Sequence, residues 1–188
     1  MTVINPSSVT KQEFGQRVPD FSLSLLDGAG IRALPDYLAG KMGAAIVFWS
    51  ALCTHCLRYD EYFNSFSGLH PQLGFAAIAS RYGETREQMY EAVKRRQLRF
   101  PILIDPSGTA ARDWHSQQTP RCYLVGSEGH LVYRGAIDNF KLPTDPEYVA
   151  YLEPAIESHL AGKRIVRAET ASFGCAIETS YYHLPKQL

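Results

Sequence analysis

Two cysteines separated by two residues, Cys53 and Cys56, are the residues whose types and spacing point most directly to chemistry. They follow the apolar run 46–49, which is typical of a buried strand, and precede the aromatic-rich segment 57–66, which favours a helix. We therefore expect Cys53 near a helix N-terminus, where unpaired N–H groups and the helix dipole lower a thiol pKa. Cys56 would lie on the same helix face, within reach to resolve a mixed disulfide.

The same spacing also occurs in half of a zinc site. Such a site normally needs a second Cys or His pair at similar spacing, and the chain contains no second C-x-x-C and no H-x-x-x-H. The two thiols could also be ordinary buried side chains. With a strand before them and a helix after them, we favour a redox-active pair and predict no metal and no other cofactor.

Length and composition indicate one domain. The chain has 188 residues, of which 45% are hydrophobic, enough for a substantial core. We expect an N-terminal arm over residues 1–16, one domain over 17–161 and a C-terminal extension over 162–188. The formal net charge is zero and neither half carries a basic run, so the sequence predicts no nucleic-acid partner and no membrane partner.

Cysteine usage bears on the compartment. Four cysteines are too few for a disulfide framework in a chain of this length, which favours a reducing compartment and a catalytic pair. The first residues lack a charged segment followed by an apolar one, and no apolar stretch approaches the length of a membrane span. These observations predict a cytoplasmic protein, or a periplasmic one if a signal peptide has been removed.

Hydrophobic patterning predicts alternating strands and helices. An N-terminal β-hairpin is expected from residue 18 onward, with a turn at Asp27 and Gly28. Further strands are expected over 44–49, 73–79, 100–105, 121–125 and 131–134. Helices are expected over 34–38, 57–66, 85–98, 108–115 and 147–160, with a capping box at Thr85 and Gln88. This order argues for an α/β sheet with helices on both faces.

Five segments in this order resemble the thioredoxin superfamily, and within it the redoxin branch of alkyl hydroperoxide reductase and thiol-specific antioxidant-like proteins. They are V-P-D-F-S-L at 18–23, F-W-S-A-L-C-T-H-C at 48–56, F-P-I-L-I-D at 100–105, T-P-R-C-Y-L-V at 119–125 and E-G-H-L-V-Y-R-G at 128–135. The resemblance implies a thioredoxin-like fold, in which helices flank a central mixed β-sheet. It also implies a redox-active Cys53/Cys56 pair beside a cis peptide bond between Thr119 and Pro120, whose main-chain edge can hold an extended substrate segment.

The sequence departs from thioredoxin itself at two positions near the cysteines. Val47 stands where thioredoxin has a buried Asp that helps to deprotonate the second cysteine. His55 lies between the cysteines, where an imidazole either supports the Cys53 thiolate and makes the disulfide more oxidising or simply faces solvent. Trp49 is expected to pack under the active-site loop.

The resemblance predicts a thiol-disulfide oxidoreductase acting on protein disulfides, dithiols or small thiols. The alternative is a peroxiredoxin-type peroxidase with Cys53 as the peroxidatic thiol and peroxides as substrates. Ser50 and Cys53 fit the end of the P-x-x-x-[ST]-x-x-C motif, but Ile46 stands in place of its proline. Arg121 or Arg58 would then hold the thiolate ionised, although surface charge is the simpler interpretation of both.

Two other classes stay open. A metal-delivery protein resembling the thioredoxin-like copper chaperones would need both thiols and a distal His, with His115 and His130 as candidates, but that family separates its cysteines by three residues. A non-catalytic binding module is also conceivable, although such modules have usually lost a cysteine. Cys122 is predicted to be a core thiol, because free cysteines are usually buried.

Carboxylates and the tail complete the candidates. Glu84, Asp105 and Asp138 are possible proton acceptors, although carboxylates at strand ends are usually caps.

The tail is expected to fold back on the domain through apolar residues, with an edge strand over 163–169. The apolar residues are Phe173, Cys175, Ile177, Tyr181 and Tyr182. Cys175 is either a third redox thiol or a small apolar anchor, and the anchor is favoured because buried thiols are usually inert.

Overall fold

The computed structural model describes residues 13–177. The strands are β1 (Ser22–Leu25), β2 (Ile31–Ala33), β3 (Gly43–Trp49), β4 (Leu73–Ala79), β5 (Ile102–Ile104), β6 (Gln118–Thr119), β7 (Arg121–Gly126), β8 (Leu131–Gly135) and β9 (Cys175–Ala176). The helices are α1 (Leu34–Leu38), α2 (Thr54–Leu57), α3 (Asp60–Leu69), α4 (Arg86–Arg96), α5 (Thr109–Asp113) and α6 (Leu152–Leu160).

Seven strands form one mixed sheet in the order β2-β1-β5-β4-β3-β7-β8. β3 runs parallel to β4 and antiparallel to β7, which places it inside the sheet. Alternate side chains of β3 point to opposite faces, so Val47 and Trp49 join one apolar cluster while Ile46 and Phe48 join the other. Helices thus cover a sheet that is buried on both faces, which confirms the predicted α/β fold with a central mixed sheet.

Local sequence signals account for several elements. The predicted N-terminal hairpin is confirmed, since β1 pairs antiparallel with β2. The capping box before α4 is also confirmed: Gln88 N donates to Thr85 Oγ1 at 3.2 Å, and Thr85 N donates to Gln88 Oε1 at 2.9 Å. These bonds satisfy two of the N–H groups that a helix start leaves without partners.

The helix expected over 57–66 is divided. Helix α2 already begins at Thr54, and α3 starts only at Asp60, after a turn in which Tyr59 N donates to Cys56 O at 3.0 Å. Side-chain contacts with distant segments hold this turn, because Tyr59 donates to Asp138 and Asp60 pairs with Arg96. The prediction of one continuous helix was therefore wrong.

The helix expected over 147–160 begins later, at Leu152. Pro154 explains the difference, because its ring would clash with the Ala150 carbonyl in any helix that extended further back. Its missing N–H costs nothing in the first turn, where such groups have no helical partner. Ala150 instead bridges to Asp138.

The chain after α6 returns along the sheet. Arg134 N donates to Ala168 O at 2.9 Å, and Thr170 N donates to Arg134 O at 3.1 Å. The edge strand expected over 163–169 is reduced to one isolated bridge between Arg134 and Glu169, because the segment reaches β8 only at its end.

The tail then makes a second pairing, in which β9 runs antiparallel to β6. The expected folding back of the tail is thus confirmed as far as Ile177, while Tyr181 and Tyr182 lie outside the described residues.

At the N-terminal end of the described residues, Gly15 N donates to Leu131 O at 2.9 Å. Among residues 13–177, the helices are all too short or too polar to cross a membrane.

Candidate active site

A short loop after β3 carries Cys53 to the start of α2. Cys53 is the N-cap residue of that helix, and its N–H donates to Ser50 O at 3.3 Å. Glu84 holds the loop from the side, since its Oε1 accepts from Ser50 Oγ at 3.2 Å and from Leu52 N at 3.1 Å. Burial raises the pKa of Glu84. The expected position of Cys53 at a strand-to-helix junction is confirmed, but a helix of four residues supplies only a weak dipole.

Arg96 also contacts the loop between β3 and α2, a role that was not predicted from the sequence. Its guanidinium makes two 2.6 Å bonds to the carboxylate of Asp60 and donates to Ala51 O at 3.0 Å. It also lies 5.2 Å from the ring centre of Trp49, which is fully buried as expected. Arg96 stands in the last turn of a helix, where a basic residue is ordinary, so no local signal distinguishes it.

The Thr119–Pro120 peptide bond is cis, as the resemblance implied. The Cys53 thiol donates to the carbonyl oxygen of Thr119 at 3.1 Å. Two chain segments that are far apart in sequence therefore meet at the Cys53 sulfur.

The two cysteines of the motif have opposite ionisation tendencies. The Cys56 thiol donates to Cys53, and this bond is the largest cause that holds the pKa of Cys53 well below its usual value. Burial works against this shift, while a further bond from Cys175 adds to it. Burial raises the pKa of Cys56, and its bond to Cys53 raises it further. Of the two thiols, Cys53 therefore has the lower pKa and loses its proton first.

His55 is partly buried by contacts with the tail and with Phe140. Its Nδ1 lies 3.7 Å from Cys175 Sγ, and its ring centre lies 4.9 Å from that of Phe140. The imidazole therefore packs between the loop at Phe140 and the tail. The interpretation of His55 as a purely solvent-facing residue is wrong, and its sulfur contact is with Cys175.

The sulfur of Cys53, a ring nitrogen of His55 and the sulfur of Cys175 lie within 4.8 Å of one another. Thiolate and imidazole are the ligand types that zinc and copper(I) prefer. Three ligands leave a tetrahedral metal incomplete, and a closed structural zinc site has four. Neither His115 nor His130, the distal histidines considered from the sequence, belongs to this group.

The remaining candidates have structural surroundings. Cys122 is fully buried, as expected of a core thiol, and burial raises its pKa. Asp105 accepts from Ser80 Oγ at 2.7 Å and from Ala111 N at 3.1 Å, which caps α5. Asp138 accepts from the Tyr59 hydroxyl at 2.6 Å. Val47 is fully buried in the strand before the motif, so this position provides no proton acceptor for Cys56.

The arrangement expected of a peroxiredoxin is not assembled among the described residues. Ser50 is fully buried and donates to Glu84, so its hydroxyl is committed. Arg58 lies 3.7 Å from Asp138 and donates to the Lys141 carbonyl. Arg121 lies 4.0 Å from Glu169. The groups that would hold a peroxide and its attacking thiolate are thus directed to other partners.

A mixed sheet, a C-x-x-C motif at the end of its inner strand and a facing cis proline define a protein of the thioredoxin superfamily. Within it, the chain belongs to the AhpC/TSA family, whose model matches residues 14–134.

Similar proteins agree with this assignment. The thiol-disulfide oxidoreductase ResA of Bacillus cereus is 29% identical over 126 residues, which is 67% of this chain and 71% of the relative. A hypothetical protein from Sinorhizobium meliloti 1021 has a similar structure, with a TM-score of 0.77 and 27% identity over 89% of this chain and 95% of the other. A putative thiol:disulfide interchange protein DsbE from Chlorobium tepidum shares the fold, with a TM-score of 0.60 and 18% identity over 81% of this chain and 98% of the other.

Proposed function

We propose that this protein is a thiol-disulfide oxidoreductase in which Cys53 is the attacking thiol and Cys56 resolves the mixed disulfide. The observation that carries the proposal is the position of Cys53, which caps α2 and lies 3.1 Å from the Thr119 carbonyl oxygen beside the cis proline, with Cys56 fully buried three residues further along the chain. The pKa values support the same order, because that of Cys53 is lowered while burial raises that of Cys56. Thiolates attack disulfides and thiols do not, so the order of the two steps follows from this difference.

The exchange reaction can be written with these two residues. The Cys53 thiolate attacks one sulfur of a substrate disulfide, which forms a mixed disulfide and releases the first substrate thiolate. Cys56 then loses its proton to the released thiolate or to solvent and attacks the Cys53 sulfur. A Cys53–Cys56 disulfide forms and the second substrate thiolate leaves, so the substrate gains two electrons and the protein loses two. The reverse sequence oxidises a substrate dithiol.

Protein disulfides and dithiols are the proposed substrates. The carbonyl of Thr119 faces the Cys53 sulfur, so a chain that pairs with this segment brings its own cysteine next to Cys53. The relatives named as thiol-disulfide oxidoreductases support this substrate class. The low cysteine content supports a reducing compartment such as the cytoplasm.

The test is a redox titration of the Cys175→Ser protein in glutathione buffers, in which the Cys53/Cys56 pair is isolated from the third nearby thiol. Free thiols are alkylated at each potential, and disulfides are mapped by mass spectrometry. The proposal predicts a reversible two-electron transition with a Cys53–Cys56 bridge as its oxidised product. A protein that remains fully reduced, or that acquires only glutathione adducts, would contradict it.

A peroxide challenge separates the oxidoreductase from the peroxidase alternative. Because Ser50 and Arg58 are engaged with other groups, we expect Cys53 to react with hydrogen peroxide no faster than an ordinary thiolate. The measurement is the second-order rate of peroxide consumption, compared with that of glutathione adjusted for its thiolate fraction. A rate several orders of magnitude above this reference would favour the peroxidase.

A further inference from the structure

The tail occupies the main-chain edge beside Cys53. Strand β9 pairs antiparallel with β6, and in this register Cys175 stands opposite Thr119 while Ala176 stands opposite Gln118. Ile177 N extends the pairing by donating to Gln117 O at 2.8 Å. An extended segment with a cysteine opposite Thr119 is the geometry expected of a bound substrate chain. Here the protein itself supplies that segment.

Close contacts fix the tail in this position. A Cβ atom on Gly174 would lie only 1.9 Å from Thr119 O, so the pairing requires glycine there. Ile177 is buried in the second apolar cluster. Further back, Thr170 Oγ1 accepts from Ala136 N at 2.9 Å and lies 2.8 Å from the Tyr133 hydroxyl. The tail is therefore anchored on both sides of Cys175.

The sulfur of Cys175 lies against that of Cys53. The two sulfur atoms and a ring nitrogen of His55 fall within 4.8 Å of one another, and Cys175 Sγ lies 3.7 Å from His55 Nδ1. Cys53 has no exposed surface, whereas Cys175 is half-buried. A reagent that enters from solvent therefore meets the tail at Cys175 before it reaches Cys53.

We propose that Cys175 is a second resolving thiol for Cys53, and that its strand is a built-in substrate segment which a protein substrate must displace. The inference rests on the proposed oxidoreductase function. It assigns Cys175 a redox role beyond the small apolar anchor that the sequence favoured. Cys53 thereby has two intramolecular partners, Cys56 from its own helix and Cys175 from the tail.

The exchange steps balance without any additional oxidant. Once Cys53 carries a mixed disulfide with a substrate thiol, Cys175 loses its proton to the substrate thiolate already released or to solvent and attacks the Cys53 sulfur. A Cys53–Cys175 disulfide forms and the second substrate thiolate leaves. Cys56 then loses its proton to solvent and attacks the Cys53 sulfur, which forms the Cys53–Cys56 disulfide and returns Cys175 to a thiolate that takes up a proton. The net result is again one substrate disulfide reduced and one protein disulfide formed.

The test uses Cys56→Ser protein, in which only the tail can resolve Cys53, and one equivalent of dithiodipyridine. The inference predicts release of both pyridinethione groups of the probe and a protein with a Cys53–Cys175 bridge. The Cys56→Ser/Cys175→Ser protein should release one group and keep the other on Cys53. Adding Cys122→Ala to Cys56→Ser is the matched control, since removal of that core thiol should leave the bridge intact.

Each outcome decides the matter. A stable pyridyl adduct on Cys53 in the Cys56→Ser protein, as long-lived as in the variant without Cys175, would overturn the inference while leaving the proposed function in place. Failure of Cys53 to react in either variant would instead refute the proposed function, and the inference with it.

A second variant tests the tail geometry without removing a sulfur. In the Cys56→Ser background, Gly174→Ala forces the tail away from Thr119, because the added Cβ atom would clash with the Thr119 carbonyl oxygen. Cys175 is then linked to Cys53 only through the flexible chain and is no longer held beside it, so formation of the Cys53–Cys175 disulfide should slow roughly tenfold or more. Gly68→Ala is the matched control, because a Cβ atom there has no neighbour within 4 Å. Equal rates in both variants would show that docking of the tail does not direct the reaction.

Discussion

Removing the Cys56 thiol should raise the pKa of Cys53, because the largest stabilising contact of the thiolate is the hydrogen bond from that thiol. A hydrogen bond to a charged group contributes about 1.5–3 kcal/mol. One pKa unit corresponds to about 1.4 kcal/mol, so loss of the donor in Cys56→Ala should raise the pKa of Cys53 by roughly 1–2 units. Cys56→Ser keeps an O–H donor at the same position and should therefore produce a smaller shift.

The assay follows the ultraviolet absorbance of the thiolate as the pH of the reduced protein is changed. Burial raises the pKa of both Cys122 and Cys175, so the transition at the lowest pH belongs to Cys53. A Cys53→Ser protein, in which this transition must disappear, verifies the assignment. The same Cys53 pKa in wild type and Cys56→Ala would refute the reasoning that the second cysteine stabilises the first.

Two further predictions concern stability. Asp60→Asn should lower the free energy of unfolding by about 3–5 kcal/mol, because Arg96 would be left as a buried charge without its partner. The control is Arg112→Gln, which breaks an exposed pair with Asp113 and should change the free energy of unfolding by less than about 1 kcal/mol. The second concerns pH: a lowered native pKa of Cys53 stabilises the fold above the unfolded thiol pKa of about 8.5, and this contribution is lost as the pH falls. Between about pH 6 and pH 8, the free energy of unfolding of the reduced wild type, relative to that of Cys53→Ser, should therefore rise by about 1.4 kcal/mol per pH unit. Chemical denaturation at several pH values measures this difference, and the same pH dependence of stability in both proteins would contradict the prediction.

Local patterns predicted the parts of the fold that local forces determine. The apolar runs at β3 and β4 are buried on both faces of the sheet, and such burial leaves a continuous hydrophobic signal. The capping box at Thr85 works within one helical turn, so it can be read from four residues. The position of Cys53 follows for the same reason, because an apolar strand ends just before it.

Other features depend on contacts between distant segments. The break between α2 and α3 is held by Asp138 and Arg96, which lie far from it in sequence. Strands β6 and β9 have two residues each, too short for any periodic pattern, so their pairing could not be predicted. The late start of α6 is different, since Pro154 was a readable signal that the helical periodicity outweighed.

Trapping a protein substrate on Cys53 tests directly whether this residue is the attacking thiol. The Cys56→Ser/Cys175→Ser protein, which lacks both proposed resolving thiols, is mixed in its reduced form with insulin as a protein disulfide, quenched with acid and analysed by peptide mass spectrometry. We expect a mixed disulfide between insulin and Cys53 that accumulates in this variant and does not accumulate in the wild type. An equal yield of insulin adducts in a protein that carries Cys53→Ser and retains Cys56 would contradict it.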